Sequence, residues 1–363
     1  MDSIKYTLTF KEANKDDYVK LGGKGASLAS MSAADFPVPS GFCITTDAYK
    51  THLDDSGLWE QILEKAAWIN FNDMFHLDKV SAEIRDLIIQ TPMPEAITKS
   101  IKTAYQQLCQ LAFADNDLPV AVRSSANAED LPDASFAGQQ DTYLWVVGEE
   151  AVLDHVRKCW ASLFTSRAIN YRHDHNIHEN EVLMCVVVQK MVNARVAGVT
   201  MTLNPTNGDR SKIAIDASWG LGEAVVSGEV TPDHFMVDKV ILEIIKSDIH
   251  NKHLEHIPDK ATRRVITREI TDERALQPCL TPEEVKAICK MAKTIEKHYG
   301  CPQDIEWAID ADLPDGENIT LLQSRPETVW SQKKTEATST TPTFTFGMAG
   351  LVNSLLNPIA AKK

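Results

Sequence analysis

The chain has 363 residues, of which 43% are hydrophobic and 24% charged, and 51 acidic residues outnumber 37 basic ones to give a formal net charge of −14. This length suits two or three lobes, and the acidic balance argues against a nucleic-acid partner. No apolar run reaches the ~20 residues of a membrane span and the N-terminus lacks the apolar core of a signal peptide, so we expect a cytoplasmic protein without a membrane partner.

The segment Leu21-Gly-Gly-Lys-Gly-Ala-Ser27 follows a short strand predicted over residues 5–10 and precedes a run compatible with a helix. Glycines on both sides of Lys24 would let the backbone approach an anion while the ammonium group reaches it. The segment is not a P-loop, because Gly25 follows the lysine where that motif requires Ser or Thr. An anion site and a plain glycine turn both remain open here.

The next part of the chain predicts a helical scaffold. Two prolines give residues 36–46 the character of a rigid extended segment that leads into a buried strand. Apolar residues at three- and four-residue spacing predict three helices, over residues 58–69, 79–90 and 94–113. We expect His52 and His76 at the surface of this scaffold.

Residues 118–142 form a short apolar strand that leads to Arg123 and then to a long stretch rich in Ser, Ala, Asp and Gly. Small side chains suit a loop that closes over a bulky ligand, and an arginine at its entrance suits phosphate. An ordinary surface loop with a solvated arginine is the alternative. Loops of this length are uncommon in compact domains unless they are functional, which favours the ligand-binding interpretation.

A polar stretch with three histidines, at residues 172–179, ends an amphipathic helix predicted over residues 149–171. The spacing of these histidines matches no known metal template, so we expect a solvated helix end. The seven cysteines form no CxxC pair and are odd in number, which argues against both a zinc site and a disulfide framework.

The continuous apolar run at residues 182–191 predicts a strand that is covered on both faces. Gln189 lies near its exit, where we expect the chain to leave one lobe and enter another. Residues 196–203 and 213–216 predict strands of a second sheet, and a glycine-rich turn with Glu223 at the start of a helix follows them.

Residues 230–270 alternate β-branched and charged side chains, which predicts solvent-facing antiparallel strands. A helix then begins after Thr281, because a Thr N-cap, Pro282 at the first position and Glu284 form a capping box. Gly300 is the residue expected to end this helix.

The helix leads into residues 304–326, in which two alternating segments flank a turn-rich centre, so we predict a β-hairpin. With Asp315-Gly316 at its tip, antiparallel register gives two cross-strand pairs on one face, Glu306 with Arg325 and Ala308 with Gln323. The opposite, apolar face would carry Ile305, Trp307, Ile309, Leu322 and Ser324.

The polar face of this hairpin allows two interpretations. Glu306 and Arg325 would form a cross-strand ion pair on a solvated sheet. Alternatively, Glu306 and Gln323 hold Mg²⁺ through their oxygens while Arg325 binds a phosphate group. A one-residue change of register would place Glu306 on the other face from its two neighbours.

Taken together, these motifs resemble the nucleotide-binding domain of the phosphoenolpyruvate synthase, pyruvate phosphate dikinase and rifampicin phosphotransferase family, over roughly residues 19–329. The motifs that carry the resemblance are LGGKGASL, VPSGFCITTDAY, AVRSSANAEDLPDASFAGQQDTYL, WASLFTSRAINYR, ASWGLGEAVVSG, DIEWAID and LLQSRPETV.

The resemblance implies an α+β fold similar to ATP-grasp, in which two lobes clasp a nucleotide, with an N-terminal helical insertion. Residues 1–194 would form the N-terminal lobe, and residues 195–330 the C-terminal lobe with the metal-binding hairpin. Residues 331–342 have the polar, low-complexity composition of a linker, and residues 331–363 as a whole would be this linker and the start of a missing or vestigial further segment.

The resemblance also implies a set of site residues. Lys24 and Arg123 would be phosphate-binding cations, Gly138 and Thr142 part of the loop over the phosphates, and Gln189 the adenine-binding residue at the junction of the lobes. Glu306 and Gln323 would be the Mg²⁺ ligands and Arg325 a further phosphate contact. Lys24, Arg123 and Arg325 would be the catalytic cations.

Members of the family transfer the terminal two phosphoryl groups of ATP to a histidine on a separate swivelling domain and release AMP, so the resemblance implies ATP and Mg²⁺ as cofactors. No histidine here lies in a Thr-Ser-His-type segment, and we therefore expect the carrier histidine on another domain or subunit. The alternatives are a standalone ATP-grasp ligase that activates a carboxylate and a non-catalytic nucleotide-binding module. The final phosphoryl acceptor stays open.

Overall fold

The computed structural model of the chain describes residues 4–115, 117–127, 130–131, 134–135, 141–178, 182–259 and 261–330. The chain divides into two compact units, Met1–Pro326 and Glu327–Lys363. In the described part of the second unit, residues 327–330, the backbone amide of Val329 donates to the Glu327 carboxylate at 2.7 Å. The linker and further segment predicted at residues 331–363 lie outside the described residues.

The strands are, in chain order, β1 (Thr7–Thr9), β2 (Gly41–Ile44), β3 (Val120–Ala126), β4 (Asp130–Leu131), β5 (Ala134–Ser135), β6 (Thr142–Val146), β7 (Met184–Lys190), β8 (Ala194–Met201), β9 (Lys212–Trp219), β10 (Asp233–Asp238), β11 (Ile244–Asp248), β12 (Leu254–Asp259), β13 (Arg264–Glu269), β14 (Gln303–Asp310) and β15 (Ile319–Pro326). The α-helices are α1 (Gly22–Ala33), α2 (Thr46–Asp55), α3 (Leu58–Ala66), α4 (Met74–Gln90), α5 (Glu95–Leu111), α6 (Glu149–Ala161), α7 (Ser166–Asp174), α8 (Glu223–Val226) and α9 (Pro282–Tyr299). Short 3-10 helices span Tyr18–Lys20, Ser162–Phe164 and Glu273–Leu276.

Two antiparallel sheets organise the first unit. One has the strand order β1-β2-β7-β3-β6 and the other the order β11-β10-β9-β8-β14-β15. Two smaller pairs, β12 with β13 and β4 with β5, stand apart from them. Separate helices and antiparallel sheets make this an α+β fold, as the sequence predicted.

Two apolar cores hold these layers together, and strand β7 separates them. Val186 and Val188 belong to the core that the first sheet shares with the N-terminal helices. Cys185 and Val187 point the other way, into the core that contains α1, α9 and the inner face of the second sheet. Because successive residues of a strand alternate between its faces, the continuous apolar run places side chains in both cores, which confirms the predicted two-sided burial.

The helical scaffold follows the prediction with two differences. Helices α3, α4 and α5 form where apolar periodicity predicted them, whereas α2 was not predicted. The helix predicted over residues 149–171 is wrong as a single element, because the chain breaks at Thr165 and this side chain caps α7 by accepting a hydrogen bond from the Ala168 amide at 3.3 Å. None of the described helices is long and apolar enough to cross a membrane.

The surface position expected for His52 is wrong. This residue lies on the buried face of α2 and is 0% exposed. Its ring stacks on the indole of Trp160 in α6, with ring centroids 5.0 Å apart. An apolar aromatic contact of this kind accommodates a neutral imidazole in the core.

The GGKG segment forms the first turn of α1 and not a loop before it. Gly22 has a φ of +64°, and a Cβ atom there would lie 2.3 Å from the carbonyl oxygen of Ser125. A Cβ at Gly25 would lie 2.9 Å from the Cys43 sulfur. In this structure these two glycines therefore let the helix pack closely on β3 and β2.

The hairpin of β14 and β15 confirms the predicted element and corrects its register. Gly316 has a φ of +91° and the Glu317 amide donates to the Pro314 carbonyl at 3.1 Å, so Asp315-Gly316 does form a tight turn. The remaining loop residues and a β-bulge change the pairing, which becomes Glu306 with Gln323, Asp304 with Arg325 and Trp307 with Leu321. The predicted pairs of Glu306 with Arg325 and of Ala308 with Gln323 are wrong.

The prediction of which side chains share a face of the hairpin is confirmed for the polar residues and is wrong for Leu322. A shift of two residues preserves the alternation of side chains, so Glu306, Gln323 and Arg325 still share a face. The bulge after Glu306 places Leu321 in the core beside Trp307. Leu322 consequently lies on the other side, with Ala308.

Candidate functional site

A cavity of about 330 Å³ lies where the two sheets approach each other. The first sheet lines it with residues of β3 and β6, and the second sheet lines it with residues of β8 and β14. Residues 189–192 and the turn at residues 221–223 complete the wall. Its polar side chains include Arg123, Thr142, Gln189, Glu223, Ser227 and Glu306.

The guanidinium group of Arg123 reaches from β3 to the hairpin of the second sheet. Its Nη1 donates to the Leu322 carbonyl at 3.3 Å, and its Nη2 donates to Gln323 Oε1 at 2.9 Å. The same Nη2 lies 3.5 Å from Glu306 Oε2, and the Arg123 side chain is only 13% exposed. Its Nε is buried and has no hydrogen-bond partner among the described residues.

Glu306 and Gln323 present two oxygen atoms to the same position. They are direct cross-strand neighbours, and one oxygen of each lies within 3.5 Å of the same Arg123 nitrogen. Two oxygens that converge on one cation fit Mg²⁺, which usually takes one or two protein ligands together with phosphate and water. No group of three His, Cys, Asp or Glu residues that could hold a metal occurs in the described part of the chain. A metal here would therefore depend on the ligand for its remaining contacts.

Lys24 lies beside this cluster but not in the wall of the cavity. It is the third residue of α1, and its Nζ donates to the carbonyl oxygen of Ser124 at 3.3 Å. The Gly25 amide donates to Ser125 Oγ at 3.2 Å, which fixes α1 on β3 next to Arg123. Lys24 is thus bonded to Ser124, the residue of β3 that follows Arg123, and the two predicted phosphate-binding cations lie side by side.

Thr142 and Gln189 both line the cavity, from different strands. Thr142 pairs with Arg123 across β3 and β6. Gln189 is 3% exposed, and its side-chain amide donates to the Pro39 carbonyl at 3.3 Å. Gly138 lies outside the described residues.

Arg325, like Lys24, does not line the cavity. Its Nε donates to Asp304 Oδ2 at 2.8 Å, and its side chain is 53% exposed. The ion pairs observed at the hairpin are thus Arg325 with Asp304 and Arg123 with Glu306. The cross-strand ion pair between Glu306 and Arg325, one of the two interpretations of the sequence, is therefore wrong.

Two features of the site were missed in the sequence. Asp304 holds Arg325, and its spacing of two residues from Glu306 on a strand is the signal that could have identified it. Glu223 lines the cavity, although the sequence indicated only that it begins a helix. Nothing local in the sequence brings Glu223 to β8 and β14.

Close to the site, Tyr143 follows Thr142 on β6. Burial, followed by the hydrogen bond that its hydroxyl donates to Asp141 Oδ2 at 2.8 Å, raises the pKa of Tyr143. The hydroxyl is therefore protonated at neutral pH and acts as a donor that orients Asp141.

Comparison with known proteins places this geometry in context. Residues 19–343 match the family model described as pyruvate phosphate dikinase, AMP/ATP-binding domain. The chain is 45% identical over 350 residues to a protein of Staphylothermus marinus named probable phosphoenolpyruvate synthase, a match that covers 91% of this chain and 42% of that protein.

Two further relatives give the same result. The identity is 44% over 333 residues with the probable phosphoenolpyruvate synthase of Methanothermobacter thermautotrophicus, covering 92% of this chain and 47% of the relative. It is 41% over 361 residues with the phosphoenolpyruvate synthase of Aeropyrum pernix, covering 92% and 44%. The chain spans less than half of the length of these relatives. The family match includes every strand of the two sheets except β1 and the whole lining of the cavity, and the chain belongs to the pyruvate phosphate dikinase AMP/ATP-binding domain family.

Proposed function

We propose that this chain is the ATP-binding part of a dikinase-like phosphotransferase, which transfers the terminal two phosphoryl groups of ATP to a histidine on a carrier domain or subunit and releases AMP. The observation that carries the proposal is the meeting of Arg123 with Glu306 and Gln323 at the cavity. It supplies a cation and two metal-type oxygen ligands in one place. Phosphoryl transfer depends chiefly on such positioning and charge neutralisation.

Different residues of this chain would bind the adenine and the phosphates of the nucleotide. Gln189 and the adjacent residues 190–192 would bind the adenine at one end of the cavity. Arg123 and Lys24 would neutralise the phosphates at the other end, with Thr142 beside them. Mg²⁺, when bound, would neutralise charge on the β- and γ-phosphates, with Glu306 and Gln323 as its protein ligands.

In the proposed transfer step, AMP is the leaving group. A ring nitrogen of the carrier histidine attacks the β-phosphorus, and the bond from that phosphorus to the oxygen bridging the α- and β-phosphates breaks. AMP leaves with the bonding electron pair, and the histidine carries the terminal two phosphoryl groups. Arg123 and Lys24 would stabilise the negative charge that develops on the transferring oxygens.

We extend the proposal to an ATP-grasp arrangement with lobes at residues 1–194 and 195–330. Strands β1 to β7 form the first sheet and the separate β4–β5 pair, and the second sheet begins with β8 at Ala194. The cavity lined by both sheets supports a nucleotide clasped between two lobes. We also propose that the protein is located in the cytoplasm, as expected from the sequence.

The test combines this chain with Mg-ATP and a separately produced histidine-bearing carrier domain of the family. We expect AMP and acid-labile pyrophosphohistidine on the carrier in equal amounts, and neither product with a carrier whose histidine is replaced by Ala. ADP as the sole nucleotide product would contradict the proposal. Substrate-dependent ADP release in a screen of carboxylic acids would instead support the ligase alternative.

A further inference from the structure

The cavity contains a carboxylate that the proposed phosphate contacts do not use. Glu223 begins α8, lines the cavity and has a side chain that is 51% exposed. A carboxylate close to a polyphosphate is repelled by it, whereas hydroxyl groups of a ligand can donate hydrogen bonds to it. The position of Glu223 along the cavity therefore indicates which part of a nucleotide it faces.

The position of Glu223 along the cavity can be measured against the residues of β14 that form its floor. Glu306 and Ala308 both line it and lie two residues apart on β14, which corresponds to about 7 Å. Ala308 pairs with Ala197 on β8, and a Cβ atom at Gly222 would lie 3.5 Å from the Ala197 Cβ. The turn that carries Glu223 thus lies at the Ala308 end of the floor, where Leu221 packs with Val192, and not at the Glu306 end where Arg123 lies.

His256 of β12 lies beside the turn that carries Glu223. The His256 side chain is 9% exposed, and its Nδ1 lies 3.6 Å from Glu223 Oε2 while its Nε2 lies 3.1 Å from Glu229 Oε2. The buried Nδ1 has no hydrogen-bond partner within the described ranges. The main chain of His256 also accepts a hydrogen bond from the Leu221 amide at 2.8 Å. His256 therefore supports the turn through its backbone, and its imidazole ring faces Glu223 without a hydrogen bond to it.

The backbone of Gly220 lies very close to the backbone of His256, and this approach requires a glycine. Gly220 has a φ of +74°, and a Cβ atom there would lie 2.4 Å from the His256 carbonyl oxygen. Only glycine allows the turn to approach β12 so closely. The β12–β13 hairpin is thus a fixed support for Glu223.

We propose that Glu223 accepts hydrogen bonds from the ribose hydroxyl groups of the nucleotide, with His256 as its positioning residue. The inference rests on the proposed function, because it requires ATP in this cavity. An ionised carboxylate offers two acceptor oxygens and no donor, which matches two neighbouring hydroxyl groups. Its charge also favours the orientation that places the phosphates at Arg123. A site that hydrogen-bonds a hydroxyl group discriminates against an analogue that lacks it.

The test measures the Kd values of ATP and 2′-deoxy-ATP by calorimetry, in the presence of Mg²⁺. The wild type should bind ATP about tenfold or more tightly than 2′-deoxy-ATP, a ratio typical of a hydrogen bond to a charged group. Glu223→Ala should weaken the binding of both nucleotides, ATP more than 2′-deoxy-ATP because the latter has only its 3′-hydroxyl group to lose, and should bring the ratio of the two Kd values close to one. His256→Gln should lower the ratio to an intermediate value.

Glu229→Ala is the matched control, because Glu229 also faces His256 and is equally exposed but does not line the cavity. It should retain the wild-type ratio. Discrimination that persists in Glu223→Ala, equal binding of both nucleotides by the wild type, or tighter ATP binding in Glu223→Ala would each overturn the ribose assignment while leaving the proposed function intact. Failure of the wild type to bind ATP would overturn both.

Discussion

Arg123 connects the two sheets at the cavity through its guanidinium group. Its partners, Glu306 and Gln323, lie 183 and 200 residues away along the chain. The side chain is largely buried, so its contacts form in surroundings that water screens only weakly. An anionic ligand that enters the cavity would therefore interact with a desolvated and already oriented cation.

Lys24→Ala and Arg123→Ala should each weaken ATP binding about tenfold or more, because a hydrogen bond to a charged group contributes ~1.5–3 kcal/mol. Calorimetric titration with Mg-ATP measures the effect. Lys20→Ala is the control, since Lys20 lies four residues before Lys24 and pairs with Asp47 at 2.8 Å on the surface. Unchanged affinity in both variants would contradict the assignment of the phosphate end.

Glu306→Gln should reduce ATP turnover and alter its Mg²⁺ dependence before it affects folding. The pair with Arg123 is long, at 3.5 Å, and Glu306 is 27% exposed, so its loss should change the free energy of unfolding by ~0–1 kcal/mol. Gln323→Ala should behave likewise. The measurements are Mg²⁺ titrations of ATP consumption and melting temperatures.

Asp304→Asn provides the contrasting control for this prediction. Asp304 shares the face of Glu306 but pairs with Arg325 away from the cavity. It is 8% exposed, so the change should lower the melting temperature and leave the Mg²⁺ dependence as in the wild type. Wild-type metal dependence in both Glu306→Gln and Gln323→Ala would show that the metal lies elsewhere.

At the scale of elements, the packing of α1 on β3 positions Lys24. Gly22→Ala combines a left-handed backbone with an overlap against Ser125, and should destabilise the fold by about 3 kcal/mol or more. Gly57→Ala is the matched control, because Gly57 has nearly the same φ, +62°, and no described atom within 4 Å of the added Cβ. It should cost only about 1 kcal/mol. Equal losses in urea unfolding would show that α1 is not held by this close approach.

At the scale of the whole molecule, a histidine buried beside the core of the first sheet makes the stability of the fold depend on pH. Burial, followed by the positive charge of Arg157, lowers the pKa of His52 from 6.5 to about 4. The unfolded chain then binds more protons than the folded one between these values, so the stability present above pH 6.5 is lost as the pH falls. The loss between pH 7 and pH 5 should be about 2 kcal/mol.

Urea unfolding of the wild type and of His52→Leu at pH 7 and pH 5 tests this prediction. The variant should lose about 2 kcal/mol less than the wild type over this interval, whatever its stability at pH 7. His178→Asn removes an exposed histidine and should keep the wild-type dependence. An identical pH dependence in wild type and His52→Leu would mean that the buried imidazole is not the group that titrates.

Patterns within single elements were enough to predict much of the fold. The alternation of β7 between two cores, the capping box at Thr281 and the turn at Asp315-Gly316 all depend on neighbours within a few residues. The pairing of β14 with β15 did not follow from such patterns. It depends on the conformation of the whole loop at residues 311–318 and on a bulge that the sequence does not mark.

The sequence by itself determined the family, the α+β class, the two-sided burial of β7 and the residue types of the site, because motifs and burial periodicity are local properties of the chain. Only the tertiary structure decided which of those residues meet. It brought Arg123 to Glu306 and Gln323, left Arg325 with Asp304, and placed Glu223 over the floor of the cavity. These contacts join residues far apart in the sequence, and their geometry is set by the packing of one sheet against another, to which no local pattern refers.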